Sequence, residues 1–170
     1  MRAKEDQTKE LFISLYDTYS DSIFRYCFFK TSDREIAKDL TQDIFIKVLK
    51  SVTNGEEIKN PKAFIFAVAK NVIIDFWRKK KSLNENELPE GFLYEIPVQE
   101  TSSVLAEYSL ILSLLNKLSP ADREVIILRY VEDMSSKDMA ELLNERENTI
   151  LVRINRATSK LRELSQGIKK

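Results

Sequence analysis

Histidine is absent from this 170-residue chain, and cysteine occurs once, as Cys27. Composition therefore excludes a metal site built from His and Cys, and a catalytic triad that needs His. A single cysteine also excludes a disulfide within the chain, which fits a reducing cytosol. Neither the opening MRAKEDQTKE nor any later stretch has the apolar length of a signal peptide or a membrane span. We expect a cytoplasmic protein with no direct membrane insertion.

Residues that interrupt helices are also scarce. The chain has three Gly and four Pro, against 43% hydrophobic and 32% charged residues. Few helix breakers among many helix formers predict an all-α protein. The length is enough for one medium domain or two small ones.

Positive charge is missing from one segment only. Residues 82–108 contain six Glu and no Lys or Arg, whereas residues 1–81 carry a net charge of +4 and residues 109–170 a net charge of +2. The same segment holds Pro89, Gly91 and Pro97, which favour an extended linker. We therefore expect an N-terminal helical domain at 1–81, an acidic extended linker at 82–107 and a C-terminal helical domain at 108–170.

Capping patterns predict where several helices begin, because a short polar side chain can bond to the free N–H groups of a first turn. The predicted starts are Ser32 with Glu35, Asn60 with Pro61, Ser119 with Pro120 and Asp122, and Ser135 with Asp138. Helical spacing of apolar residues then predicts which side chains are buried. For the helix after Ser32 these are Ile36, Leu40, Ile44, Phe45, Val48 and Leu49, and for the helix after Ser119 they are Val125, Ile126, Leu128 and Tyr130.

The stretch from Leu118 to Leu164 has three helical patterns separated by short breaks, which is typical of a helix-turn-helix. In its last helix, the spacing predicts that Ile150, Ile154, Ala157, Leu161 and Leu164 face inward. The outward residues are then Leu151, Val152, Asn155 and Arg156, with Arg153 and Lys160 on the flanks. Such side chains can contact guanine, adenine and the thymine methyl in a major groove. The pattern is equally typical of a helical bundle with a solvated charged face.

Two further polar features each allow two interpretations. The run Arg78 to Lys81 follows Phe76 and Trp77. Cations beside aromatic rings suit single-stranded DNA, but cations are also favoured at a helix C-terminus, with Trp77 in the core. Asp39 and Asp43, four residues apart with Gln42 between them, lie on one side of a helix, as a docking surface or as a solvated face. No other residues complete a catalytic pocket there.

Three segments together resemble one known family. They are AKDLTQDIFIKVLKS, PKAFIFAVAKNVIIDFWRKKK and LNKLSPADREVIILRYVEDMSSKDMAELL. In this order, with a variable linker between the second and third, they resemble an extracytoplasmic-function (ECF) sigma factor of the bacterial RNA polymerase sigma family. The resemblance spans nearly the whole chain.

The resemblance implies roles for specific positions. Those matching the polymerase-docking helix are Asp39, Gln42 and Asp43. Those matching the surface for the −10 promoter element are Asn54, Lys59, Asn60, Lys70, Asn71, Trp77, Arg78 and Lys79, in a loop that captures a flipped base and in the helix after it. Those matching the surface for the −35 element are Arg129, Thr149, Leu151, Val152, Arg153, Asn155, Arg156 and Lys160. The linker would run toward the polymerase active-site cleft and the RNA exit path.

The chain departs from the family at the turn before its last helix. Where the family usually has Gly, an apolar residue and Ser, this chain has Asn144, Glu145 and Arg146. Asn144 with Glu147 predicts a cap that starts the helix earlier. Leu151 and Val152 stand where a basic residue and Ser are frequent, which favours contact with thymine methyls over phosphate attraction.

The sequence thus predicts a transcription initiation factor that binds core RNA polymerase and promoter DNA and assists promoter melting. We expect no catalytic, metal or cofactor residues and no small-molecule substrate, and the resemblance implies an anti-sigma factor as a further partner. The main alternative is a self-sufficient helix-turn-helix regulator whose N-terminal domain dimerises or senses a signal. A weaker one is a helical adaptor that binds no nucleic acid.

Overall fold

A computed structural model describes residues 2–31, 33–82 and 103–166, and all regular elements within these ranges are helical. The chain forms two compact units, which are described separately below. The first unit contains α1 (Arg2–Thr31), α2 (Arg34–Thr53) and α3 (Pro61–Ser82). The second contains α4 (Ser103–Asn116), α5 (Pro120–Ile126), a π-helical segment (Ile127–Val131), α6 (Ser136–Leu143) and α7 (Glu147–Gln166).

The core of the first unit lies among its three helices. Tyr26 of α1 and Phe66 of α3 are both buried and meet edge to face, with ring centroids 5.2 Å apart. From α2, the predicted core residues Leu40, Ile44, Phe45 and Val48 are buried, as the helical spacing predicted. Ile36 is only half-buried and Leu49 is 40% exposed, so the prediction was wrong for Leu49.

Helix α2 begins one residue later than the capping pattern predicted. Its N-cap is Asp33, whose Oδ1 accepts hydrogen bonds from the N–H groups of Glu35 (2.9 Å) and Ile36 (3.0 Å). Ser32, the predicted cap, lies outside the described residues. Because Ser and Asp are comparable N-caps, two adjacent candidates could not be separated by residue type.

The other predicted helix starts are confirmed. Asn60 Oδ1 accepts the N–H of Ala63 at 3.1 Å and α3 begins at Pro61. Ser119 caps α5 through the N–H of Asp122 at 3.2 Å, with Pro120 at the first helical position. Each cap satisfies a backbone donor that the first turn leaves without a helical partner.

The cap of α6 uses both groups of its predicted pair. The Ser135 hydroxyl oxygen accepts the N–H of Asp138 at 3.1 Å, and the same hydroxyl donates to the Asp138 carboxylate at 2.7 Å. The two side chains therefore hold each other at the start of the helix. This fixes the residue at which α6 begins in the second unit.

Helix α5 does not continue as a regular α-helix but widens into the π-helical segment. Its last turn closes through the N–H of Glu132 to the carbonyl of Ile127 at 3.1 Å, and Asp133 follows with a left-handed φ of 46°. The wider turn changes which residues face inward. Ile127 and Leu128 are both buried, whereas Tyr130, predicted to pack in the core, is 61% exposed.

Residues 83–102, the main part of the predicted acidic linker, lie outside the described residues. The ends of the linker were predicted at 82 and 107, but α3 extends to Ser82 and α4 begins at Ser103. The described helices therefore take up residues at both ends of the predicted range.

The turn between α6 and α7 differs from the predicted one. Asn144 adopts a left-handed conformation, with a φ of 53° and a ψ of 46°, and ends α6. The N–H of Glu145 bonds to the carbonyl of Ala140 at 3.0 Å, and the N–H of Asn144 to that of Glu141 at 3.3 Å. This is the Schellman arrangement, in which Asn tolerates the left-handed position. The prediction that Asn144 caps α7 was therefore wrong, because α7 starts only at Glu147.

Candidate nucleic-acid interface

One face of α2 presents the acidic residues predicted to dock on a partner. Asp39, Gln42 and Asp43 are all exposed on this helix. Ile46, which is 50% exposed, follows Gln42 by four residues and Asp39 by seven, so it lies in the same surface stripe. We call these four residues the α2 face. Sequence reasoning missed Ile46, although an apolar residue at that spacing on a polar face was a visible signal.

The α2–α3 loop holds the next predicted residues. Asn54 follows α2 and is exposed, and Gly55 has a left-handed φ of 78°, with no atom within 4 Å of where a Cβ would lie. Lys59 lies 3.9 Å from the Glu57 carboxylate, and both side chains are more than 80% exposed. Asn60 is already engaged in capping α3. The loop therefore offers an open, polar surface at one end of the first unit.

Helix α3 ends in a basic segment with one acidic residue beside it. Arg78 donates to the Asp75 carboxylate at 2.9 Å, and Lys47 of α2 lies 3.9 Å from the same carboxylate. Asn71, Arg78 and Lys79 are exposed and Lys70 is half-buried, so these predicted DNA-binding residues lie between the middle of α3 and its C-terminus. Asp75 neutralises part of their charge.

Trp77 is not available to stack on a base. Its side chain is 6% exposed and packs in the core of the first unit, with the Phe76 ring 5.0 Å away. Lys80 Nζ lies 5.1 Å from the centre of the Trp77 ring, a cation–π distance. The interpretation of Trp77 as a core residue is therefore correct, and its assignment to the −10 surface was wrong.

Helix α7 has the buried and exposed sides that the spacing predicted. Ile150, Ile154 and Ala157 are buried, whereas Leu161 and Leu164 are half-buried. On the opposite side, Leu151 is 43% exposed and Val152 is 65% exposed. The other exposed residues among those predicted for this surface are Thr149, Asn155, Arg156 and Lys160. We call Leu151, Val152, Asn155 and Arg156 the recognition face of α7.

Two neighbouring residues extend this surface. Asn148 is exposed one turn before Val152 and was missed by sequence reasoning, although residues at the start of a recognition helix are those that reach bases. Arg129 is exposed on the π-helical segment, where its Nη1 donates to the carbonyl of Met134 at 3.2 Å. That bond fixes the guanidinium beside the turn before α6.

Arg156 is paired with a buried carboxylate of α5. Its Nη2 lies 2.5 Å from Oδ1 of Asp122, and the Asp122 side chain is 7% exposed while that of Arg156 is 63% exposed. Burial by itself would raise the pKa of Asp122, but hydrogen bonds from Arg156 and Ser119 and the charges of Arg156 and Arg153 hold that pKa below its usual value. Asp122 therefore stays ionised and keeps Arg156 against the body of the unit.

Arg153 is also paired within the unit. Its Nη1 lies 2.8 Å from Oε1 of Glu145, with side-chain exposures of 19% and 30%. Glu145 stands where an apolar residue was expected to be buried, and Arg153 compensates its charge. At the same corner, the Ser136 hydroxyl donates to the Glu147 carboxylate at 2.6 Å, which ties the start of α6 to the start of α7. Polar contacts thus replace apolar packing at this turn.

No group of three or more Cys, Asp or Glu side chains in the described ranges is arranged to hold a metal ion. A search of the same residues found no helix with the length and apolarity to span a membrane.

Comparison with sequence families matches each unit. A model described as Sigma-70 region 2 matches residues 15–83, and one described as Sigma-70, region 4 matches residues 108–161. The chain is 26% identical to the ECF RNA polymerase sigma factor SigX of Bacillus subtilis, over 91% of this chain and 84% of that protein. It is 29% identical to the RNA polymerase sigma factor YlaC of the same organism, over 88% of each.

Solved structures give the same result. The sigma factor RpoE from Bartonella quintana, crystallised with the anti-sigma factor NepR, is 26% identical with a TM-score of 0.66, over 95% of this chain and 98% of that chain. CnrH, solved with the cytosolic domain of CnrY, has a TM-score of 0.70 over 98% of this chain and 97% of that chain, and its 20% identity supports the fold alone. Because the two matched sequence regions occur in order and fall on the two helical units, this chain belongs to the extracytoplasmic-function group of the sigma-70 family.

Proposed function

We propose that this chain is a transcription initiation factor that binds core RNA polymerase and directs it to promoters with −10 and −35 elements. The observation that carries the proposal is the match of one sigma-70 region to each helical unit. A self-sufficient helix-turn-helix regulator has no need of the first of these regions, so that alternative is not favoured. The segment between the units, which includes the Glu-rich residues 83–102, acts as a linker in this proposal.

The α2 face is the proposed contact with polymerase. Asp39, Gln42 and Asp43 supply two negative charges and an amide, and Ile46 supplies an apolar centre. An apolar residue surrounded by polar groups is the usual composition of a protein interface. Such a surface fits a partner that is basic at its rim and apolar at its centre.

The α2–α3 loop and the surface of α3 are the proposed contact with the −10 element. Extruding a base from the duplex costs a few kcal/mol, so the loop must supply polar contacts to a flipped base. Asn54 and Lys59 are exposed there, and Gly55 leaves space for a close approach. Along α3, Lys70, Asn71, Arg78 and Lys79 would follow the phosphates.

The recognition face of α7 is the proposed contact with the −35 element. In a helix-turn-helix, the second helix lies in the major groove and its N-terminal half contacts base edges. Arg129, Thr149 and Lys160 flank that face and would contact the DNA backbone. Both units bind their promoter elements in the same holoenzyme. Binding of one unit therefore raises the effective concentration of the other unit at its own element.

Two further assignments follow from the family. Its solved member from Bartonella quintana was crystallised with an anti-sigma factor, and we propose a partner of this kind for the present chain. We also propose that the chain acts in the cytoplasm, where polymerase and its template are found. No catalytic residue is assigned to the chain, because the reaction belongs to the polymerase.

A charge-reversal experiment tests the proposal. The Asp39→Lys, Asp43→Lys double variant should bind core polymerase roughly tenfold or more weakly, because like charges at an interface repel. The matched control is the Asp6→Lys, Asp21→Lys double variant, which reverses two exposed acids of α1. Retention on core polymerase and transcription from genomic promoters are the measurements. Failure of the unaltered chain to bind core or to start promoter-dependent transcription would overturn the proposal.

A further inference from the structure

The recognition face of α7 is more apolar and less charged than its sequence suggests. Val152 is 65% exposed, the highest fraction among the exposed large apolar side chains of the described residues, and its neighbour Leu151 is 43% exposed. Both stand apart from Ile150, Ile154 and Ala157, which are the buried residues of this helix. Two adjacent apolar side chains on this helix surface therefore need an explanation outside the unit's own packing.

The two arginines of the same helix are compensated by carboxylates of the unit. Arg156 bonds to Asp122 at 2.5 Å and Arg153 bonds to Glu145 at 2.8 Å. Each pair is electrically neutral, and each uses a terminal guanidinium nitrogen. Arginine recognises guanine by presenting its nitrogens as a fork to O6 and N7, and it binds phosphate through the same atoms. Both modes are weakened while these pairs are intact.

With Arg156 bonded to Asp122, the rest of the recognition face offers a base pair two apolar side chains and one amide. Thymine is the base that exposes a methyl group in the major groove, and adenine presents the N6 and N7 pair that a carboxamide matches. Leu151 and Val152 suit the thymine methyl group, and the exposed Asn155 suits the N6 and N7 pair of adenine. No combination of these three side chains favours a G·C pair.

We propose that α7 recognises A·T pairs in the −35 element, with Val152 and Leu151 in contact with thymine methyl groups and Asn155 paired with adenine. This rests on the proposed function, because it assumes that α7 enters the major groove of the −35 element. Arg153 and Arg156 are then positioning residues, which hold α7 against Glu145 of the turn and Asp122 of α5. Specificity at this element depends on methyl groups and only weakly on arginine forks.

Replacement of thymine by deoxyuridine tests the proposal, because it removes the methyl group and leaves base pairing unchanged. Polymerase holoenzyme is assembled with the full chain, and promoters are those identified by mapping transcript starts after induced expression. At one −35 thymine facing α7, the substitution should lower promoter affinity about fourfold, the loss expected for one buried methyl group. Deoxyuridine placed between the two elements should have no effect.

A protein variant links the effect to Val152. With Val152→Ala, the difference between thymine and deoxyuridine should disappear at the thymine that Val152 contacts and remain at a thymine that Leu151 contacts. The matched control is Ile13→Ala, which shortens an apolar side chain of α1 that is 45% exposed, and which should keep the fourfold difference. Binding and open-complex formation are both measured on both templates. A loss of folding lowers them on every template, whereas a loss of recognition removes only the difference between templates.

Two results would overturn the proposal. One is a set of mapped −35 elements without conserved A·T pairs, and the other is equal binding of thymine and deoxyuridine templates by the unaltered chain. Both leave the proposed function intact, since promoter-specific transcription is still observed. If the holoenzyme starts no specific transcription on any promoter with unmodified thymine, the proposed function itself fails.

Discussion

Breaking the ion pair between Asp122 and Arg156 should destabilise the second unit by an amount that depends on which partner is removed. The Asp122 side chain is 7% exposed and that of Arg156 is 63% exposed. Asp122→Asn leaves an arginine that water can solvate, so we expect a loss of about 1 kcal/mol in the free energy of unfolding. Arg156→Met leaves a buried carboxylate without its counter-ion, and we expect a loss of roughly 2–3 kcal/mol.

The stability of the unaltered chain and that of Arg156→Met should also depend differently on pH. In the unaltered chain the pKa of Asp122 lies below its usual value, so the pair stabilises the fold above the pKa of the unfolded carboxyl and loses that contribution as the pH falls through the folded pKa. In Arg156→Met the hydrogen bond and the charge of Arg156 no longer lower the pKa of Asp122, so that pKa rises and the stabilisation that the pair gives at neutral pH is lost. The difference in the free energy of unfolding between the unaltered chain and Arg156→Met should therefore narrow as the pH falls through the pKa of Asp122.

Urea unfolding followed by far-UV circular dichroism, at pH 7 and at pH 4, measures these differences. The single tryptophan of the chain, Trp77, lies in the first unit, so its fluorescence gives an internal reference that should not change. Arg156→Lys, which keeps the charge, should recover part of the loss. Equal losses of unfolding free energy for Asp122→Asn and Arg156→Met at pH 7 would refute the reasoning. So would a difference between the unaltered chain and Arg156→Met that stays constant from pH 7 to pH 4.

Substitutions at three other positions test local features of the fold, each by thermal or urea unfolding. Asn144→Gly should stay within about 0.5 kcal/mol of the unaltered chain whereas Asn144→Ala should cost about 1 kcal/mol, because the left-handed position penalises a Cβ; equal effects would contradict the left-handed turn. Asp33→Ala should lower the stability of the first unit by about 1 kcal/mol through loss of the α2 cap, and no loss would argue against Asp33 as the cap. Trp77→Ala should lower the free energy of unfolding by about 3–5 kcal/mol because the ring is in the core. A loss below about 1 kcal/mol would indicate that the ring lies on the surface.

Local signals in the sequence predicted much of the secondary structure. The caps at Asn60, Ser119 and Ser135 are set by side chains that bond within three residues of themselves, so adjacent residues suffice to identify them. The same holds for the buried stripe of α7, which follows from a regular spacing of apolar residues. The α2 start was displaced by one residue because Ser32 and Asp33 are both acceptable caps.

Features that depend on distant residues were not predictable in this way. The π-helical segment moved Tyr130 to the surface and brought Ile127 inside, and an apolar run such as VIILRYV gives no sign of where a helix widens. Trp77 could be a stacking ring or a core ring, since both need an aromatic residue next to cations. Only its packing in the first unit separates the two.

The charge on the recognition helix was the least predictable property, and it is the one that bears most on function. A helical projection of α7 shows Arg153 and Arg156 near its outward side and suggests a cationic surface. Their partners, Glu145 and Asp122, are 8 and 34 residues away in the sequence, and the fold alone brings them within 2.8 Å and 2.5 Å. The net charge of the segment counts all four residues but does not show which of them are paired. In the proposed mode of recognition, the ion pairs that Arg153 and Arg156 form within their own unit therefore make α7 depend on methyl contacts more than on arginine forks.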